Sequence, residues 1–163
     1  MKLSTRSRYG TRMMIDLAQH YDKGPEQAGE IARRQGISVK YFEQLIIPLK
    51  RADFIKSVRG PKGGHMLAKP PGEITIGEIV NVLEGGLGLV GCIDNPDECK
   101  RSDNCLTKEI WEETTKAMSD KLNSMSLSMF VVDLGKCPLP SVTKIEDKAV
   151  KRLQGGGKCI RKK

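Results

Sequence analysis

A mostly helical chain with one short β-hairpin is predicted by three observations. Apolar residues recur three and four apart through most of the chain, as amphipathic helices require. Strand-like stretches are confined to residues 54–58 and 65–68. Hydrophobic residues make up 38% of the chain and aromatic residues 4%, enough for a modest core of packed helices. At 163 residues there is room for one ordinary domain and an appendage.

Ser4 is placed to cap a first helix, in which Gly10, Met13, Met14, Leu17, Ala18 and Tyr21 share one face. Arg6, Arg8 and Arg12 lie off that face, so its outer side is basic. Asp22-Lys-Gly24-Pro25 ends it. Ala28, Ile31 and Ala32 mark a second helix to about Gln35, and Gly36 is the turn residue. Ser38 caps a third helix whose inward face is Phe42, Leu45, Ile46 and Leu49. Two short helices about a glycine turn make a helix-turn-helix, although many helical hairpins share that pattern. Pro48 lacks a donor and crowds the preceding turn, so the third helix is expected to kink there or restart.

The two strands flank Arg59-Gly-Pro-Lys-Gly-Gly64. A hairpin directly after a helix-turn-helix makes a winged helix-turn-helix; taken alone, it is a plain polar hairpin tip. Its glycines let the backbone approach a partner closely, and Arg59 and Lys62 supply charge. Pro70-Pro71-Gly72 breaks the chain before Thr75, which caps a helix carrying Ile76, Ile79, Val80 and Leu83. Gly86, Gly88 and Gly91 match a dinucleotide-binding pattern by letter. They leave a helix for an acidic loop, however, where that motif needs a strand before it and a helix after it. This stretch reads as a flexible lead-in.

Thr107 is placed to cap a long helix whose less polar face is Ile110, Trp111, Thr114, Met118, Lys121, Leu122 and Met125. Such a stripe must be buried, either on the chain's own head or on a two-fold partner. Leu127, Met129, Phe130, Val131 and Leu134 form a last short helix broken near Gly135. The Lys-rich tail with Gly155, Gly156 and Gly157 is expected to be disordered.

Charge is unevenly spread. Residues 1–70 carry 14 Lys/Arg against 6 Asp/Glu, residues 71–143 carry 6 against 12, and residues 144–163 carry 8 against 2. A basic head on an acidic middle suits a polyanionic partner, though a basic surface also serves solubility. Arg6, Arg8, Arg33, Arg34, Lys40, Arg59 and Lys62 are cations of that head. No apolar run approaches the roughly 18 residues of a membrane span, and none follows Met1 as a leader would, so the expected location is cytoplasmic.

Cys92, Cys99 and Cys105 fall within fourteen residues that also hold Pro96, two asparagines and four carboxylates. Thiols in so polar a segment are not there for packing. They are soft ligands suited to zinc, copper(I) or an iron–sulfur cluster. Spacings of six and five residues are open for a compact zinc knuckle. An odd total of five cysteines argues against a disulfide framework. Cys105 precedes a helix but has no histidine near it in sequence, so no catalytic residue is assigned and an enzyme is not expected.

In this order the pieces resemble the IscR/NsrR-type family of winged-helix regulators, over about residues 1–134. The resemblance rests on Met1-Lys-Leu-Ser-Thr-Arg-Ser-Arg-Tyr9, Gln35-Gly-Ile-Ser-Val-Lys-Tyr-Phe-Glu-Gln-Leu45, Val58-Arg-Gly-Pro-Lys-Gly-Gly-His65 and the three cysteines. It implies a homodimer joined by the long helix, with double-stranded DNA as partner. The outward face of the third helix (Ser38, Lys40, Tyr41, Glu43 and Gln44) would enter the major groove, with Arg59 and Lys62 on the wing. It also implies that Cys92, Cys99 and Cys105 hold an iron–sulfur cluster, of two-iron or four-iron type. The histidine that IscR-type members carry as fourth ligand is Lys108 here, and the acidic residue of the nitric-oxide-sensing branch is Arg8. Asp94, Asp103, Glu109 and Cys137 remain candidates, whereas Cys159 reads as an incidental thiol.

The expected organisation is a winged helix-turn-helix head over residues 1–84, a glycine-rich lead-in and cysteine loop over 85–106, dimerisation helices over 107–134 and a basic tail over 135–163. A cluster-free regulator sensing through a partner protein, and an iron–sulfur carrier or redox protein, are the rival readings.

Overall fold

The Ser4 hydroxyl accepts a hydrogen bond from the Ser7 N–H and starts α1 (Thr5–Gln19), as its position predicts. The computed structural model that contains this helix describes residues 3–99 and 104–131. A short helical turn at Tyr21–Lys23 leads to α2 (Ala28–Gln35), which ends on Gly36 in the left-handed region at φ 66°, where a side chain would be strained. Ser38 then caps α3 (Val39–Arg51) by accepting from the Tyr41 N–H.

The helix α3 runs through Pro48 instead of restarting there. Phe42, Leu45, Ile46 and Leu49 hold its inner face in the core on both sides of the proline. The carbonyl that loses its donor belongs to Gln44, on the exposed side, where solvent can serve it.

β1 (Ile55–Val58) pairs antiparallel with β2 (Gly64–Leu67), in a register that sets Ile55 opposite Leu67 and Val58 opposite Gly64. This two-stranded wing is docked by main-chain bonds to the turn before α2. Glu26 N–H donates to the His65 carbonyl at 2.9 Å, and His65 N–H donates to the Glu26 carbonyl at 2.8 Å. A Cβ at Gly64 would run into that Glu26 carbonyl.

After a turn at Pro71–Glu73, α4 (Ile76–Glu84) opens with a full capping box between Thr75 and Glu78. It packs on α1, and the Ser4 N–H donates to Glu84 at 2.8 Å. The lead-in is less free than its glycines suggest. Asp94, on the short α5 (Gly91–Asp94), accepts the Gly88 N–H at 3.0 Å, and Leu89 N–H donates to Thr115.

The long helix is α6 (Lys108–Asn123), and its two halves behave differently. Met118, Leu122 and Met125, just past its end, pack against the head, where α6 lies on α4. The chain then pairs beside the start of α4 through Ile76 N–H to Met125 carbonyl and Leu127 N–H to Ile74 carbonyl. At the other end Ile110 is 56% exposed and Trp111 39%. Thr107 makes no capping bond. The last helix is one turn, Leu127–Phe130, with Leu127 in the core. Leu134, Gly135, Cys137, Cys159 and the tail lie outside the described residues.

One core gathers Met13, Met14, Leu17, Ile31, Phe42, Leu45, Leu49, Ile79 and Leu127. At its edge Asp16, only 6% exposed, meets the Arg34 guanidinium at 3.1 Å through both carboxylate oxygens. Arg34 also bonds Glu26. Partial burial works against the Arg34 charge, but the Glu26 and Asp16 carboxylates outweigh it and hold the group more firmly protonated. Arg34→Met keeps most of the bulk and strands the Asp16 charge. It should destabilise the fold by roughly 3 kcal/mol, read as a lowered urea midpoint, with Asp16→Asn in the same background recovering part of the loss.

Candidate nucleic-acid interface and cysteine loop

The sequence-predicted contact residues stand on two neighbouring elements. Ser38, Lys40, Glu43 and Gln44 are exposed on α3, whereas Arg59 and Lys62 are exposed at the wing tip. Tyr41 is half-buried, its ring meeting the Tyr9 ring edge-on at 6.0 Å between centroids. Arg8 and Arg12 both lie over the Tyr9 ring, at 5.4 Å. Lys40, Arg59 and Lys62 make no ion pair among the described residues. Arg33 and Arg34 are different: Arg33 bonds Glu30 at 2.9 Å, and Arg34 is held by Asp16 and Glu26. The free positive charge of the head is therefore smaller than its composition implies, and it concentrates on α1, α3 and the wing tip.

His65 connects these surfaces. Its ring meets the Phe42 ring at 5.4 Å, behind the exposed face of α3, and its Nδ1 lies 2.9 Å from the Ser57 hydroxyl across the hairpin. Burial and then the Lys50 charge depress its pKa, against the opposing pull of Glu43. Sequence reasoning placed His65 on the wing but gave no sign of these contacts, which come from α3 and β1.

Cys92 lies on α5 and not in an open loop, Cys99 follows a turn at Pro96–Glu98, and Cys105 precedes α6. All three are free, partly exposed thiols. The Thr107 hydroxyl, 3.4 Å from the Cys105 sulfur, acts with the N–H groups of Thr107 and Lys108 to hold that thiol below its usual pKa. Thr107 has helical backbone angles, φ −97° and ψ −2°, so its hydroxyl is not presented to cap α6. As a donor set, three soft thiols on one short segment suit an iron–sulfur cluster. The expected convergence is not present: among the described residues no three His, Cys, Asp or Glu groups come close enough to hold a metal ion. Residues 100–103, which include Asp103, lie outside the described residues. Of the other candidate ligands, Asp94 is engaged by Gly88, and Glu109 is exposed on α6.

Residues 3–133 match the family model described as "Rrf2: Iron-dependent Transcriptional regulator". The chain belongs to the Rrf2 family. It is 46% identical over 138 residues to Protein rrf2 of Nitratidesulfovibrio vulgaris, covering 85% of this chain and 92% of that one. It is 35% identical over 133 residues to the transcriptional regulator IscR of Aliivibrio salmonicida, covering 82% and 79%. Among solved structures, IscR of T. potens matches with a TM-score of 0.63 at 41% identity, covering 78% of this chain and 84% of that chain. The global cysteine regulator CymR of B. subtilis matches at 0.66 and 34%, covering 80% and 96%. The winged-helix architecture is that of these Rrf2 regulators. The protein is an IscR-like transcriptional regulator, a DNA-binding class, and its named relatives are regulators rather than enzymes. No helix among the described residues is long and apolar enough to cross a membrane.

Because the folded state lowers the His65 pKa, the unfolded chain binds the proton more readily. The stability this group contributes is complete above about pH 6.5 and is lost as the pH falls toward its folded pKa. The melting temperature of the wild type should therefore fall more between pH 7 and 5 than that of His65→Gln. Parallel curves would mean that His65 titrates alike in both states.

Proposed function

We propose that this Rrf2 regulator is a cytoplasmic homodimer that binds operator DNA with α3 in the major groove and the wing alongside. Its DNA affinity is tuned by an iron–sulfur cluster on Cys92, Cys99 and Cys105. The observation that carries the DNA reading is the exposure of Lys40, Glu43 and Gln44 on α3 and of Arg59 and Lys62 at the wing tip, whose cations have no ion-pair partners among the described residues. A carboxylate on such a face is repelled by phosphate, so Glu43 suits a cytosine amine and excludes other bases. The dimer reading rests on the exposed end of α6, where Leu106, Ile110 and Trp111 offer apolar surface to a second copy. The organisation into a head of residues 1–84, a loop of 85–106 and helices of 107–134 follows from the same reading.

The cluster reading rests on the donor set and on its place in the chain. The three thiols would hold the cluster, which when bound supplies a redox-sensitive charge. The chain's own residues supply the linkage. Cys92 is next to the Asp94–Gly88 clasp that follows α4, and Cys105 is next to the first turn of α6. Tying these ends together sets how the exposed end of α6 is presented, and through it the angle between two heads. Half-sites about one helical turn apart accept a narrow range of that angle.

DNA binding should be steeply salt-dependent. Neutralising roughly 6–10 phosphates costs about 10³–10⁵ in affinity between roughly 50 and 200 mM salt, so a flat response in fluorescence anisotropy would sink the interface. Arg59→Ala should weaken specific binding by roughly 1–3 kcal/mol, with less effect on random duplex.

Protein purified without oxygen should show visible iron–sulfur absorption that is lost on replacing Cys92, Cys99 or Cys105 by Ala and kept in Cys159→Ala. The three loop variants should retain the dimer mass in sedimentation, with altered operator affinity, whereas Ile110→Glu should give the monomer mass. Colourless wild-type protein whose operator binding ignores all three cysteines would favour regulation through a partner protein.

A further inference from the structure

A groove of about 440 Å³ runs between the start of α1 and the exposed side of α3, apart from the wing and the cysteine loop. Arg6, Tyr41, Gln44, Ile47, Pro48 and Arg51 line it, so two guanidiniums stand there and no carboxylate. Neither Arg6 nor Arg51 makes an ion pair among the described residues. Glu84 lies within electrostatic reach of Arg6, but its carboxylate is committed to the Ser4 N–H.

Ile47 is 49% exposed in this groove. A single exposed aliphatic side chain is ordinary on a protein surface. Ile47 differs in where it stands. It lies three and four residues beyond Gln44 and Glu43, one turn further along α3, with guanidiniums beside it. That spacing is about 5–6 Å along the helix axis, or one to two base-pair steps. The ring of the following Pro48 also lines the groove and adds apolar surface beside Ile47.

We propose that Ile47 is a specificity-determining residue that reads the 5-methyl group of thymine in the major groove, and that Arg6 and Arg51 hold the flanking phosphates. Thymine is the base that presents a methyl group there, and an aliphatic side chain recognises it by excluding water. A guanidinium matches the phosphate oxygens in shape and charge. The arrangement places backbone contacts on the α1 side of α3. This inference rests on the DNA-binding reading above.

The test uses full-length protein and a duplex that the wild type enriches from a random library. Each thymine is replaced singly by deoxyuridine, which removes the methyl group and nothing else. At least one replacement should weaken wild-type binding about fourfold, the worth of one methyl group returned to water. Ile47→Ala should bind the thymine duplex correspondingly more weakly and lose all sensitivity to deoxyuridine. Arg6→Gln and Arg51→Gln should weaken binding equally on enriched and random duplex, each lowering the salt slope by about one. Wild type indifferent to every deoxyuridine, or Ile47→Ala that keeps the sensitivity, overturns the methyl contact. Unchanged salt slopes in both arginine variants overturn the phosphate contacts. If the wild type binds no duplex, the DNA reading falls, and this inference falls with it.

Discussion

Asp16 is the residue on which the assembly of the head depends. A carboxylate 6% exposed at the edge of an apolar core must have a cation beside it. Arg34, eighteen residues away on α2, meets it, and the same guanidinium reaches Glu26. Glu26 then joins its main chain to His65 on β2. One buried charge thus sets α1 against α2, and through Glu26 sets the wing against both. His65 carries the linkage on to α3 through Phe42. The separation between α3 and the wing follows from this set of bonds.

The second constraint concerns α6. Its C-terminal end is fastened to the head by the strand-like pairing of Thr75 with Ser126 and by the Thr75 hydroxyl bonded to Asn123. Its N-terminal end carries Leu106, Ile110 and Trp111 in solvent, beside Cys105. A helix fixed at one end and open at the other suits the transmission of a change in the cysteine segment. The fixed end holds the head in place while the open end offers surface. The Asp94 bond to Gly88 gives that segment a second fixed point, after α4.

The segments ruled by local chemistry were legible in the amino-acid order alone. The caps at Ser4, Ser38 and Thr75, the turn at Gly36, the buried face of α3 and the glycine-rich wing each depend on residues within about a turn of one another. The apolar stripe of α6 was equally visible, but the division of its burial was not, because it depends on where α4 lies. That Lys40, Glu43 and Gln44 lie on a helix and Arg59 and Lys62 on a hairpin was readable from helical and hairpin periodicity. Their electrostatic setting was not, since Arg34, which pairs with the distant Asp16, looks as free in sequence as Lys40 does.

What only the tertiary structure decided has one physical cause: the deciding partner is distant along the chain. Pro48 stays within a continuous helix because core contacts on either side outweigh one lost hydrogen bond at an exposed carbonyl. The cysteines are soft donors by type, yet their convergence depends on how α5 and the start of α6 are placed, which spacing does not encode. The sequence by itself determined the main helices, the hairpin and the family resemblance, because those are written in neighbouring residues. The tertiary structure decided which charges are spent internally and which face outward, because charge pairing acts through space and ignores chain order.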